Sequence, residues 1–280
     1  MRKPLDLMET SELTTLFLKH TERVISAIEK ALPQINLLID DVILTIKNKG
    51  RIFYIGAGTS GRICVLDASE IFPTFSEKDI FIPIMAGGNE AIFTPKENIE
   101  DQREEGIMEL KKREITNNDI AIGVTASGKT TYVISALEYA SQIGAKTYLI
   151  SCNNVSYNFL KGIIFIDTGD EFIIGSTRLN AGTAQKIVLN MISTISMIRL
   201  GRTYDNLMIS VHPSNKKLME RSAQIVSLIT GVSFDDAFSL LKEVKDPRIT
   251  ALMIKKKISK EEAERLLKKF DYNFRIAYES

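Results

Sequence analysis

At 280 residues, with 44% hydrophobic and 25% charged positions, the chain has apolar material for one large domain and a small one. A net charge of +1 argues against bulk electrostatic binding to nucleic acid or to a membrane surface, and no window approaches the about 18 uncharged apolar residues of a membrane span. Cys64 and Cys152 each sit in an apolar run with no CxxC or histidine-rich neighbourhood, which argues against a disulfide framework or a zinc site and fits a reducing cytoplasm.

The N-terminal segment has no continuous apolar stretch of the kind a signal peptide needs. Helical periodicity starts at Thr10 and runs to Leu32, where Pro33 is expected to break it. Ile35, Leu38, Ile39, Val42 and Ile46 then recur on one helical face. After Gly50 the texture changes to short, β-branched apolar runs at 52–55, 80–84, 120–124, 147–150 and 163–166. Helix-favouring segments at 61–69, 132–143 and 184–199 separate most of them. This alternation predicts an α/β fold: a three-layer αβα sandwich around a mostly parallel five-stranded sheet, with right-handed crossovers.

Near His212 and Asn215 the strand pattern stops. Ser233 with Asp236, and Ser259 with Glu262, match the S-x-x-D/E start of a helix. The expected division is N-terminal helices over residues 1–49, the α/β domain over 50–215 and a small helical domain over 216–280. The lysines at 255–257 and 268–269 read as solvated helix faces.

Ligands of parallel sheets collect at the carboxyl ends of the strands. Three turns expected there share one composition: 56–62 (GAGTSGR), 125–130 (TASGKT) and 175–182 (GSTRLNAG). Each offers glycines that let backbone approach a ligand, hydroxyls that donate hydrogen bonds, and a following helix whose N-terminus favours an anion. Together they point to a small phosphorylated ligand. Gly56, Gly58 and Gly61 also satisfy G-x-G-x-x-G, but the second strand is followed by Ala86, Gly87 and Gly88, without the acidic residue that would hold a ribose. Gly123, Gly128, Lys129 and Thr130 formally match a P-loop. Gly123 lies inside the apolar strand, however, and no clear magnesium carboxylate follows the second strand. Neither nucleotide nor metal is expected as a cofactor.

Several stretches carry a resemblance: YIGAGTSGR at 54–62, LDASE at 66–70, AGG at 86–88, EDQREEG at 100–106, TASGKTTYV at 125–133, ISCN at 150–153 and AGTAQKIVLNM at 181–191. In this order they resemble the sugar isomerase (SIS) domain family and, more closely, the bacterial N-acetylmuramic acid 6-phosphate etherases, relatives of the glucokinase regulatory protein. The helical C-terminal region is similar to the ubiquitin-associated-like tail of those etherases. The chain departs from the family pattern at Asn180, where lysine is usual, and in a shorter N-terminal region.

The resemblance implies a cofactor-free lyase that splits N-acetylmuramic acid 6-phosphate into N-acetylglucosamine 6-phosphate and D-lactate. It implies Glu70 as the acid and base at the C3 oxygen and Glu100 as the group handling the C2 proton. The phosphate is expected among Ser60, Thr125, Ser127, Thr130 and the Ala126 amide, with Thr59 beside it; Glu171 and Ser176 are expected along the sugar. His212 reads as a structural residue. A non-catalytic sugar-phosphate regulator and a SIS-type isomerase stay open as alternatives; the first carries two SIS domains where this chain has length for one, and Asn180 keeps the second open. Ser60 and Glu70 would stand about 15 Å apart along one helix, farther than a hexose phosphate reaches. A homodimer with shared active sites is therefore expected.

Overall fold

The computed structural model describes residues 3–280. The chain forms two compact units, one running up to Ala68 and again over Ile80–Ile192, the other made of Ser69–Asp79 and Ser193–Ser280.

In the first unit, α1 (Thr10–Thr21) is followed by α2 (Arg23–Lys47), so the break falls at Glu22 and not at Pro33. Pro33 lies inside α2, which corrects the expectation from sequence. An interior proline costs about 3 kcal/mol because it removes one hydrogen bond and crowds the preceding turn. Here Pro33 and Glu29, whose carbonyl loses its partner, are both exposed, so water can solvate the gap. Burial of Ala27, Ile28 and Ala31 before it, and of Ile35, Leu38 and Val42 after it, carries the helix through.

The five strands are β1 (Ile52–Gly56), β2 (Phe81–Met85), β3 (Ile120–Thr125), β4 (Lys146–Ser151) and β5 (Gly162–Phe165). All pair in parallel, in the order β2-β1-β3-β4-β5. Every residue of β1 and β3 is buried, as their uninterrupted apolar runs require. The helices between and after them are α3 (Gly58–Ser69), α4 (Ile71–Phe75), α5 (Glu90–Phe93), α6 (Arg103–Lys112), α7 (Thr131–Ile143) and α8 (Asn180–Arg199).

Phe53, Ile55, Ala121 and Leu149 of the sheet share one core with Val133, Ala136 and Leu137 of α7 and Leu110 of α6. A Cβ on Gly123 would stand 2.6 Å from both Val133 and Leu137, so this glycine serves helix–sheet packing, not a phosphate loop. The α2 helix packs against β1 and β5.

The second unit holds α4 together with α9 (Lys216–Thr230), α10 (Phe234–Val244), α11 (Pro247–Lys256), α12 (Lys260–Lys269) and α13 (Phe274–Glu279). Ser233 accepts from the Asp236 amide at 3.1 Å, and Ser259 with Glu262 forms the reciprocal capping box that the sequence pattern announced. This unit starts earlier than residue 216. Ile209 is buried in the same core as Ile225, Leu252, Leu267 and Phe274, and Ser76 Oγ donates to the Ser210 carbonyl at 2.6 Å, which ties the 69–79 excursion to it. Among the described residues no single helix is long and apolar enough to cross a membrane.

Candidate functional site

The turn after β1 becomes the start of α3. Gly58 opens it at φ +54°, a left-handed conformation that suits glycine. Cβ atoms on Gly56 or Gly61 would come within 2.7 Å of the facing backbone, so the strand end and the helix start can touch only because both residues are glycine. Ser60 then stands at the strand end, where its Oγ donates to Gln185 Oε1 of α8 at 2.8 Å. Arg62, the last residue of that motif, donates to the carbonyls of Ala91 and Ile92, each at 2.8 Å, and so fastens α5.

The turn after β3 is held from behind. Asn153 Nδ2 donates to the Ala126 carbonyl at 2.9 Å, and Tyr157 donates its hydroxyl to the Gly128 carbonyl at 2.9 Å. Gly128 has φ +71°, and a Cβ there would stand 2.6 Å from Ser151 Oγ. On the other side the hydroxyls cluster: Thr125 and Thr130 share a hydrogen bond at 2.7 Å, and Thr125 lies 3.3 Å from Ser127 Oγ. The α7 helix starts at Thr131 with no side-chain cap on its N-terminus.

These turns enclose a cavity of about 220 Å³, lined by Gly58 and Ser60, by Thr125, Ala126, Ser127 and Thr130, by Thr177 and by Glu100. Among the described residues no basic side chain lines it. What the lining offers to a negatively charged group is hydroxyl donors and the N-terminal ends of α3 and α7. Glu100 is exposed, and its carbonyl accepts from the Tyr132 amide at 2.9 Å, which folds the 94–102 segment back over the start of α7. Among the described residues no three His, Cys, Asp or Glu side chains converge as a metal cage would require. Burial pushes the Cys152 thiol up to about 11, so it is not a nucleophile at neutral pH.

The other expected site residues lie outside the cavity lining. Thr59 turns toward α8, its methyl 3.4 Å from where a Cβ on Gly182 would be. Glu171 caps α8, its two oxygens accepting from the amides of Asn180 at 2.8 Å and Ala181 at 3.0 Å. Ser176 donates its amide to the Ile173 carbonyl at 3.0 Å, and its neighbour Thr177 reaches the cavity instead. Asn180 is buried, with Nδ2 3.0 Å from His20 Nδ1. Glu70 belongs to the second unit, exposed, directly after α3 in the chain. His212, also there, holds its ring 5.5 Å from that of Phe72, tilted by 36°. Gln185 was not singled out from sequence: a polar residue within an amphipathic helix gives no sign of facing inward.

A family model described as the glucokinase regulatory protein N-terminal SIS domain matches residues 34–141. The N-acetylmuramic acid 6-phosphate etherase of Clostridium beijerinckii is 44% identical over 263 residues, covering 92% of this chain and 86% of that protein. The chain belongs to the N-acetylmuramic acid 6-phosphate etherase family. The etherase of Staphylococcus aureus is 43% identical over 267 residues, covering 94% of this chain and 89% of that protein. Among solved structures, a phosphoheptose isomerase from Francisella tularensis matches with a TM-score of 0.52 at 17% identity, covering 68% of this chain and 98% of that one, which shows a shared fold. The etherase family membership and the α/β fold thus agree with what the motifs implied.

Proposed function

We propose that the protein is a carbon–oxygen lyase that cleaves the D-lactyl ether of N-acetylmuramic acid 6-phosphate, releasing D-lactate and N-acetylglucosamine 6-phosphate in the recycling of cell-wall amino sugars. Family membership at 44% identity carries this reading. The cavity supports it: hydroxyls from two turns and two helix N-termini suit a phosphate monoester. Two free thiols fit a reducing compartment, the cytoplasm.

The chemistry follows from the substrate. In the open-chain sugar C2 is α to the aldehyde, which acidifies its proton, and the ether oxygen sits on the β carbon, C3, from which it can leave. Glu100, on the cavity wall, takes that proton; the C2 electron pair forms a double bond to C3, and the C3–O bond breaks. Glu70 protonates the departing lactate oxygen. It then takes a proton from water, which adds at C3 as C2 is reprotonated. Two carboxylates in different surroundings divide the work.

Glu70 comes from a second copy of the chain in this scheme. From Ser60 to Ala68 the α3 helix rises about 12 Å, and Glu70 follows two residues later, beyond the length of one hexose phosphate. A homodimer also suits α1, which buries none of its residues and leaves Phe17 and Leu18 exposed along an apolar hollow shared with Ile173. Phe17 and Phe172 meet edge to face at 5.1 Å on that same apolar face, which a second copy would cover. Asn180 does not line the cavity, so the departure from the family's lysine gives the isomerase alternative no footing there.

The direct test is incubation with N-acetylmuramic acid 6-phosphate and an assay for D-lactate. Stoichiometric release is expected; tight binding without release would make the protein a sugar-phosphate sensor. Mixed dimers of Ser60→Ala and Glu70→Ala chains should regain activity that neither parent has. Confirmed subunit exchange without recovery would place both residues in one chain's site.

A further inference from the structure

Ser60 has one proton to donate, and Gln185 Oε1 takes it at 2.8 Å. Gln185 is 1% exposed, and its Nε2 is buried with no partner. The carbonyl of the amide thus faces the serine while the amino group faces nothing. This arrangement leaves a buried donor unpaired, and it turns the Ser60 proton away from the cavity that Ser60 lines.

One rotation corrects both. The two ends of a glutamine amide have almost the same shape, so a half-turn about its last bond displaces no neighbour. Nε2 then donates to Ser60 Oγ, and the Ser60 proton points into the cavity. The carbonyl takes the unpartnered place, and a buried C=O tolerates this better than a buried N–H. A hydroxyl that accepts one hydrogen bond is also polarised to donate a stronger one. The partner distance is fixed by close packing of α3 on α8, where Gly182 leaves room for Thr59 and Ile63.

We infer that Gln185 is a positioning residue: its amide donates to Ser60 and thereby directs the Ser60 proton to an anionic oxygen of the ligand. This rests on the reading of the cavity as a phosphate site. Gln185 touches no ligand itself and acts only through Ser60.

The probe is N-acetylglucosamine 6-phosphate, titrated by calorimetry into the full chain. Gln185→Glu keeps the shape but can only accept, so it should hold the Ser60 proton back and weaken binding by about 10- to 100-fold. Gln185→Met neither accepts nor donates, so Ser60 loses its direction but is not held back; a loss of about threefold is expected, short of that for Gln185→Glu. In a Ser60→Ala background the penalty of Gln185→Glu should shrink, because the two act as a unit. In the unaltered chain, the Gln185 side-chain NH₂ resonances should shift when ligand is added, a readout that needs no variant to fold. Equal affinity of Gln185→Glu and the unaltered chain, Gln185→Met as weak as Gln185→Glu, or unmoved NH₂ resonances would each overturn the proposal alone. Absence of binding by the unaltered chain would overturn the phosphate reading and the proposal with it.

Discussion

The turn after β3 and the turn before α8 have nearly the same composition: serine, threonine, glycine and one basic residue within eight positions or fewer. Their polar groups meet different fates. At 125–130 the carbonyls are held from behind by Asn153 and Tyr157, the hydroxyls gather on the cavity side, and no side chain caps α7. At 175–182 the helix start is already occupied, since the carboxylate of Glu171 accepts two amides of α8 while Asn180 pairs with His20. A helix N-terminus that carries its own carboxylate leaves less for an outside anion than α7 does, whose first turn gains only the neutral Glu100 carbonyl. Composition marks both segments as turns; a carboxylate cap is present at the second and absent at the first, and only Thr177 of the second reaches the cavity.

The largest expected effect opposes two glutamates. Glu100→Ala should lower turnover by about 10²- to 10⁴-fold, as for loss of a general base, with the melting temperature unchanged. Glu171→Ala should leave turnover within a few fold; the reverse pattern would exchange their roles. Glu70→Ala should abolish lactate release yet still exchange the C2 proton of N-acetylglucosamine 6-phosphate with deuterium, read by NMR. Exchange lost there and kept in Glu100→Ala would reverse the assignment.

Next come the hydroxyls of the two turns. Ser127→Ala should weaken sugar-phosphate binding by about 1–3 kcal/mol, the worth of a charge-assisted hydrogen bond. Ser176→Ala should change it by less than about 0.5 kcal/mol. Equal losses measured by calorimetry would erase the distinction between the turns. Glu171→Ala should cost about 1 kcal/mol of stability through the lost helix cap, seen as a lower denaturation midpoint without loss of phosphate affinity.

The smallest effect concerns acid pH and lies away from both turns. Burial works to raise the Asp119 carboxyl, but donors from Arg51 and Thr116 outweigh it and hold it below its ordinary 3.8. Asp41 behaves likewise: burial is opposed by Lys146, Lys161 and Tyr148. A depressed folded-state value means stabilisation present above the unfolded value and lost as pH falls through the folded one. The stability difference between the parent chain and Asp119→Asn should therefore be full at neutral pH and close below about pH 4. A difference that did not shrink at all as pH fell below about 4 would show that packing, not charge, is what Asp119 contributes.

The sheet was legible in the sequence because a strand buried on both faces has to be apolar at every position, and 52–55 and 120–124 are. The helix starts at Ser233 and Ser259 were legible because a cap is a local interaction between neighbours. Only the family resemblance draws attention to Glu100, for an exposed glutamate in a loop has no pattern of its own. Tertiary structure alone decided the rest. Pro33 looks like a break in the sequence because propensity is local, whereas burial on either side of it is not. Ile209 joined the helical unit because of partners far along the chain. Thr59, Glu171 and Ser176 sit in polar turns like Ser60 and Ser127. Which way each side chain points depends on how α3 and α8 meet and on which amide lacks a partner, and both are settled only when distant segments pack.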